Sequence, residues 1–345
     1  MFIFNFLTLY PNFVVIARRM SVKKGEEATR FSENRRTFAV QKRKRSMKDH
    51  PHTSPAFHAI AILIVAIWGT TFIATKLLIA HGLSPQEIFV LRFIIAYAGI
   101  WLLPSRRLWA DSLKDEGWLA LAGITGGSFY FLTENTALEL TLASNVSFIV
   151  CTAPLLTALL VLAADKRERA TRGLIGGSLL ALAGVALVVY NGSFVLKISP
   201  IGDLLSLLAA LSWAFYSLII KKVAGHYSSA FITRKVFFYG LLTILPAFVM
   251  RPWHFPLEQL ARPVVLGNLL FLGVVASLGC YVVWNVVLKR LGTVRTSNYI
   301  YLNPLFTLIC SSLMLHERLT PIALVGTFLI LGGVYLAGKG TTGPE

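Results

Sequence analysis

The chain has 345 residues, 55% hydrophobic and 14% charged, with a formal net charge of +17 at pH 7 and a mean hydropathy of +0.67. Soluble domains carry roughly 25% charged residues, so this composition excludes an ordinary soluble enzyme and points to the bilayer. The positive excess does not point to nucleic acid: residues 1–46 hold eleven Lys/Arg against three acids, and the rest falls mainly in short loops.

Residues 1–46 are unlike everything after them. FIFNFLTLYPNFVVIA is apolar but short, lacks a basic flank and contains Pro11, which makes it a poor signal peptide. The stretch after it, through QKRKRSMKD, is polar, basic and patternless, and is expected to be disordered. The simplest reading is a start misassigned upstream of an initiator at Met47; a targeting extension and a basic tail on anionic lipid are the alternatives. The expected divisions are an extension over 1–56, one repeat over 57–191 and a second over 200–338.

From Pro55 the sequence predicts ten spans, 57–80, 85–103, 117–136, 143–163, 172–191, 200–221, 229–250, 264–288, 293–315 and 321–338. Each is long enough to cross a hydrocarbon core of about 30 Å at about 1.5 Å per residue. Span one carries Trp68 and Lys76; span two carries Arg92, roughly 10 Å deep at helical rise. A charge at that depth either faces a cavity or partner, or snorkels to the headgroups. Span three ends in Glu134 and Asn135. Glu134 is the one carboxylate about a turn inside a span edge, close enough to water to ionise normally, which favours uniport or exchange over proton coupling.

Span four holds Asn145 and Pro154, then a charged link, Lys166-Arg167-Glu168-Arg169, leads to the glycine-bearing span five. Spans six to nine bring Trp213, Tyr216, Arg234, Tyr281, Trp284, Asn285, Asn298, Tyr301 and Pro304. Midspan amides and aromatics with polar tips need partners in hydrocarbon, so they either bond between helices or line a wet cavity. Pro154 and Pro304 remove a backbone N–H near the centres of spans four and nine and are expected to kink them. The glycines inside spans are expected to permit close helix packing. The cysteines, Cys151, Cys280 and Cys310, lie in apolar spans without metal-ligand spacing.

The chain repeats itself. Trp68 precedes Lys76 by eight residues as Trp213 precedes Lys221; Arg92 precedes Pro104 by twelve as Arg234 precedes Pro246. Asn135 stands nineteen before Pro154, as Asn285 stands nineteen before Pro304. Glu168-Arg169-x-Thr171 matches Glu317-Arg318-x-Thr320, and Gly177 and Gly184-Val185 match Gly326 and Gly333-Val334. Lys and Arg cluster on one side, at Arg106, Arg107, Lys114, Lys166, Arg167, Arg169, Arg172, Lys221, Lys222, Lys289, Arg290, Arg295 and Lys339, against Lys197, Arg251, Arg262 and Arg318 on the other. That bias places both termini in the cytoplasm. Five spans per copy is odd, so the second copy must be inverted, the plan of many secondary transporters.

IWGTTFIATKL (67–77), SPQEIFVLRFIIA (84–96), SNVSFIVCTAPLLTAL and NYIYLNPLFTLICSSLMLHERLTPIALVGTFLILGGV, in order and in duplicate, resemble the EamA-type branch of the drug/metabolite transporter superfamily over residues 57–338. The resemblance implies an all-α integral membrane protein, ten transmembrane helices as two inverted five-helix repeats, working as a permease or exporter of small metabolites. The first copy departs by carrying Lys166-Arg167-Glu168-Arg169 where the second has the shorter His316-Glu317-Arg318. No GxxxxGK[ST], HExxH or GxSxG occurs, so no catalytic residue, metal or cofactor is expected and transport must run on gradients.

The cavity expected between the repeats draws on Trp68, Arg92, Glu134, Asn135, Asn145, Trp213, Tyr216, Tyr281, Trp284, Asn285, Asn298 and Tyr301. Its cargo is a small amphipathic metabolite, with an amino acid or derivative as one candidate, moved across the plasma (inner) membrane by alternating access. The partners are that substrate and the lipid bilayer; a homodimer is left open. The competing reading is a non-transporting receptor or accessory subunit. A chain started at Met47 is expected to insert and transport like the full chain. Loss of transport at equal expression would show that residues 1–46 matter.

Overall fold

The computed structural model describes residues 55–103, 107–141, 143–164, 171–190, 199–315 and 321–340. The N-terminal extension and the links at Glu168-Arg169 and Glu317-Arg318 lie outside the described residues, as does the side chain of Asn145. The described residues are helical, with no strand among them. The first half comprises α1 (Pro55–Ala80), α2 (Pro85–Ile100), α3 (Leu113–Gly123), α4 (Phe129–Leu140), α5 (Ala143–Val150), α6 (Ala153–Ala164) and α7 (Arg172–Tyr190). The second comprises α8 (Pro200–Val223), α9 (Ser229–Thr243), α10 (Leu245–Met250), α11 (Pro263–Leu270), α12 (Cys280–Leu291), α13 (Thr293–Ser297), α14 (Asn303–Leu315) and α15 (Pro321–Gly340).

Local chemistry sets the helix starts. Pro85, Pro200 and Pro263 stand at the first helical position, where a missing N–H costs nothing. Ser112, Ser199 and Ser228 accept the backbone N–H of Asp115, Gly202 and Phe231. Gly292, at φ 84°, takes the left-handed turn that separates α12 from α13.

The exterior is apolar, unlike that of a soluble domain. Leu63, Ile94, Leu179 and Phe328 are 61%, 51%, 54% and 73% exposed, while Arg92, Asn135, Asn285 and Thr233 are buried. An apolar exterior, with polar and charged side chains kept among the buried residues, suits hydrocarbon surroundings. Among the described residues, five helices are long and apolar enough to cross a membrane, Pro55–Ala80, Val146–Ala163, Pro200–Val223, Ser229–Met250 and Pro263–Leu291, and Arg172–Gly184 and Phe328–Ala337 are shorter apolar stretches. Span two falls below that measure because α2 is only 16 residues long, and span three because Gly, Ser, Thr and Glu134 dilute its apolar residues.

Two kinds of irregularity recur at matching places in both halves. A π-helical segment, Ile124–Ser128, joins α3 to α4, and another, Phe271–Gly279, joins α11 to α12. A turn at Cys151–Thr152 separates α5 from α6, and a 3₁₀ segment, Asn298–Leu302, separates α13 from α14. Pro154 and Pro304 are the second residues of α6 and α14, so each break falls just before its proline. There the proline sits in a first turn, whose N–H groups have no intrahelical partner anyway.

The halves interlock. α2 packs on Phe271–Gly279, and α9 packs on α3 and Ile124–Ser128, so each half's second helix lies against the other half's third. α7 and α15 pack backbone to backbone. A Cβ at Gly177 would lie 2.6 Å from Gly333 O, and one at Gly184 would lie 2.6 Å from Gly326 O. Such contact between helices is the use small residues serve in membranes. Gly333→Leu should therefore lower the thermal-unfolding midpoint of the purified protein, by an overpacking cost of about 1–3 kcal/mol. Gly176→Leu, where a Cβ meets nothing within 4 Å, should leave it unchanged. Equal midpoints for both variants would refute the close packing.

Candidate functional site

A cavity with about 460 Å³ of empty space, counted out through its mouth, opens between the two halves. Its aromatic wall comes from Trp68 on α1, Tyr130 and Phe131 on α4, Trp213 on α8 and Tyr281 on α12; its polar groups are Arg92, Glu134, Thr71 and Asn303. Phe72, Val150, Ala153 and Ile300 complete it.

The rings form one mutually packed set. Trp68 stands 5.3 Å from Trp213 and 4.8 Å from Trp284, and Trp213 stands 5.2 Å from Tyr130, centroid to centroid. Tilted and edge-on contacts at this spacing are favourable and fix ring orientation. The π segments hold the wall. Trp68 Nε1 donates to Ala276 O at 3.0 Å, Tyr281 Oη donates to Gly126 O at 2.5 Å, and Ser212 Oγ donates to Thr125 O at 2.7 Å. A π turn interrupts the regular i to i+4 ladder, and carbonyls at such turns can serve side chains from neighbouring helices.

Arg92 is 2% exposed. Its Nε donates to Ser277 Oγ at 3.0 Å and its guanidinium carbon lies 4.2 Å from the Phe131 ring centroid. No described carboxylate pairs with it. α4 presents Tyr130 and Glu134 four residues apart on one face, and Tyr130 Oη donates to Glu134 Oε1 at 2.8 Å. Glu134 is only 7% exposed, which corrects the expectation that nearby water keeps it in ordinary surroundings. The expected edge position assumed a span ending at 136, whereas α4 continues to Leu140 and α1, α2 and α8 pack around it.

Of the predicted cavity residues, Trp68, Arg92, Glu134, Trp213 and Tyr281 meet at this one cavity. Apart from Asn145, whose side chain lies outside the described residues, the others sit in the packing between helices. Asn135 donates to Pro85 O at 3.1 Å, while Tyr216 donates to Asn285 Oδ1 and Asn285 donates to Thr233 Oγ1, both at 2.9 Å. Trp284 is buried against Trp68, and Asn298 and Tyr301 are buried in and near the 3₁₀ break. Sequence reasoning did not single out Thr71, Phe72, Tyr130, Phe131, Val150, Ala153 and Ile300; Asn303 belongs to the midspan amides it noted, outside the expected cavity set. The spacing Tyr130-x-x-x-Glu134 was a readable signal; the apolar members carried none. Arg234, the repeat mate of Arg92, lies 4.9 Å from the Trp101 ring instead.

The bundle is tied at both ends. Where α2 begins, the fully buried Glu87 accepts the N–H groups of Ser84, His254 and Phe255 at 2.8, 2.7 and 3.0 Å. Beside it Arg251 pairs through both terminal nitrogens with Glu139, which raises the Arg251 pKa above its ordinary value. At the opposite end, where α3 begins, Glu116 takes Lys235, Tyr239 and the N–H of Ala110, and Tyr227 Oη donates to Asp115 at 2.8 Å.

The sequence matches the EamA-like transporter family twice, over residues 57–190 and 200–338. It is 26% identical to the "Probable amino-acid metabolite efflux pump" of Escherichia coli, covering 80% of this chain and 93% of that one. It is 28% identical to the "Probable terminal-alkyne amino-acid exporter" of Streptantibioticus cattleyicolor, covering 82% and 93%. A transporter of Archaeoglobus fulgidus is 28% identical over 81% of this chain and 96% of its own. One solved crystal structure shares the fold at a TM-score of 0.64, over 82% of this chain and 97% of that one, with 18% identity. The doubled match spans the described helices of both halves, and the chain belongs to the EamA-like transporter family.

Proposed function

We propose that the protein is a secondary transporter with ten membrane spans in two inverted five-span repeats, exporting a zwitterionic amino acid or a close derivative by alternating access. The observation that carries the substrate class is Arg92. Its guanidinium reaches the cavity with one described hydrogen bond, at Nε, and no described carboxylate paired to it. The terminal nitrogens of the fork suit a bidentate carboxylate, which would also balance a charge otherwise costly at this depth. Glu134 and the surrounding rings suit an ammonium group and an apolar side chain. The two relatives named for amino-acid export agree with this reading.

Inversion is supported by the crossed glycine contacts. Gly177 and Gly184 are the repeat mates of Gly326 and Gly333, yet Gly177 meets Gly333 and Gly184 meets Gly326. A two-fold axis between antiparallel helices produces that exchange of partners. The contact of the mates Trp68 and Trp213 across the cavity fits the same axis. In this topology the plasma membrane holds both termini on the cytoplasmic side.

Counterflow of labelled leucine in reconstituted vesicles tests the function. Arg92→Gln should lower transport about 10–100-fold, the loss of one charged hydrogen-bonded contact of about 1.5–3 kcal/mol. Lys76→Gln, half-buried on α1, should change it by less than about twofold, as substitutions away from a site do. Equal, mild effects of both would remove Arg92 from the site. For topology, a cysteine replacing Arg262 should react with an impermeant thiol reagent in intact cells, and one replacing Arg107 only after permeabilisation. Labelling at position 107 in intact cells would overturn the orientation.

A further inference from the structure

We propose that Ser277 is a positioning residue for this site: from the second half's π segment it holds the Nε edge of Arg92, so that the two terminal nitrogens face the substrate's carboxylate. This rests on the amino-acid reading above and adds to it what aims the guanidinium.

An arginine carries its donors in a rigid planar fork on a flexible stem. Charge alone does not decide which edge of that fork a ligand meets. Arg92 is held in two places. Its Nε donates to Ser277 Oγ at 3.0 Å, and its guanidinium carbon lies 4.2 Å from the centre of the Phe131 ring. Arg92 is 2% exposed and Ser277 0%, so bulk water does not compete for the bond. A guanidinium can grip a carboxylate at two points through Nε and one terminal nitrogen, or through both terminal nitrogens. With Nε occupied, only the second edge is left, and it is the edge at the end of the stem.

The local sequence makes this reach possible. Gly273 lets α2 come against the π segment: a Cβ there would lie 2.7 Å from Ile95 Cβ and 3.1 Å from Arg92 O. About one turn later the segment presents Ala276 and Ser277. Ala276 O accepts from Trp68 Nε1, and Ser277 Oγ accepts from Arg92. Two consecutive residues of one half therefore place two cavity groups of the other.

The opposite crossing is an internal control. There α9 meets Gly123 as α2 meets Gly273: a Cβ at Gly123 would lie 2.5 Å from Tyr239 Cβ. This contact aligns Gly123 with Gly273 and Tyr239 with Ile95. Counting from them sets Val236 in the place of Arg92 and Gly127 in the place of Ser277. Spacing to the prolines pairs Arg92 with Arg234, but in the packing Arg234 lies off this place, beside the Trp101 and Phe231 rings. Arginine and serine thus occur together at one crossing and are replaced together at the other. A serine that served only the packing of the π segment has no reason to accompany the arginine.

The test uses the full chain, purified for binding and in liposomes for counterflow. Leucine is compared with leucinol, which keeps the ammonium and the side chain but lacks the carboxylate. Binding is read from tryptophan fluorescence, since Trp68 and Trp213 line the cavity. Ser277→Ala should weaken leucine binding and raise its half-saturating concentration about three- to tenfold, the worth of one hydrogen bond. The maximal rate should change by less than about twofold, as when binding alone is lost, and leucinol binding should stay the same. Ser277→Cys, similar in size but a weak acceptor, should resemble Ser277→Ala. In an Arg92→Met background Ser277→Ala should add nothing, the non-additivity of a coupled pair. Equal losses for leucine and leucinol, or full leucine binding by Ser277→Cys, would show a packing role and overturn the proposal. A ligand-free measurement separates it from the amino-acid reading. The Arg92 Nε–H resonance, identified by its absence in Arg92→Met, should exchange with water more slowly in the wild type than in Ser277→Ala. Equal exchange refutes the positioning role whether or not leucine is carried. Slower exchange in a wild type that binds no leucine overturns the amino-acid reading and leaves the hold of Ser277 on Arg92 standing.

Discussion

Inside hydrocarbon a backbone carbonyl that leaves the helical ladder has no water to turn to, so irregular backbone survives only where protein or a cavity satisfies it. That constraint organises this molecule. The third helix of each half loosens into a π segment, and the carbonyls there are taken by side chains from other helices: Thr125 by Ser212, Gly126 by Tyr281, and Ala276 by Trp68. Gly126 and Ala276 are repeat mates, so the same local departure is used twice, once from each side. The rings that satisfy these carbonyls are also the cavity wall. Backbone defect and cavity wall are therefore one feature, and neither can be altered without the other.

The duplication is close in architecture and broken in chemistry. The crossed packing of second on third helices recurs in both halves, and the glycine contacts between α7 and α15 pair repeat mates reciprocally. The cavity's polar groups are not paired in this way. Tyr130, Phe131 and Glu134 of the first copy correspond to Cys280, Tyr281 and Trp284 of the second, and only Arg92 of the two paired arginines reaches the cavity. Carboxylate and guanidinium thus both come from the first half, with the second contributing Ser277 and much of the aromatic wall. Under the proposed function, symmetry suits a site reached from either face, and asymmetry suits the recognition of a substrate with two unlike ends. The ties at the two ends differ as well: Glu87 gathers backbone N–H groups of a loop, whereas Glu116 gathers side chains from α9.

The sequence by itself determined the membrane setting, the duplication and the helical character of the apolar stretches. These rest on composition, span length and repeated spacing, which are properties of the chain's order and need no knowledge of contacts. It also singled out Arg92, Trp68, Trp213, Tyr281 and Glu134, because polar or aromatic groups in apolar spans require partners wherever the chain goes. The tertiary structure alone decided which requirements are met by packing and which by a cavity. Asn135 and Asn285 read alike as buried amides, yet each spends its amide on a neighbouring helix; Glu134 read as a mouth residue and is enclosed. The reason is that a side chain's partner depends on which helices cross beside it, and those crossings are set by backbone approach at Gly177, Gly184 and Gly333 and by the π turns. Neither leaves a periodic trace in a one-dimensional chain.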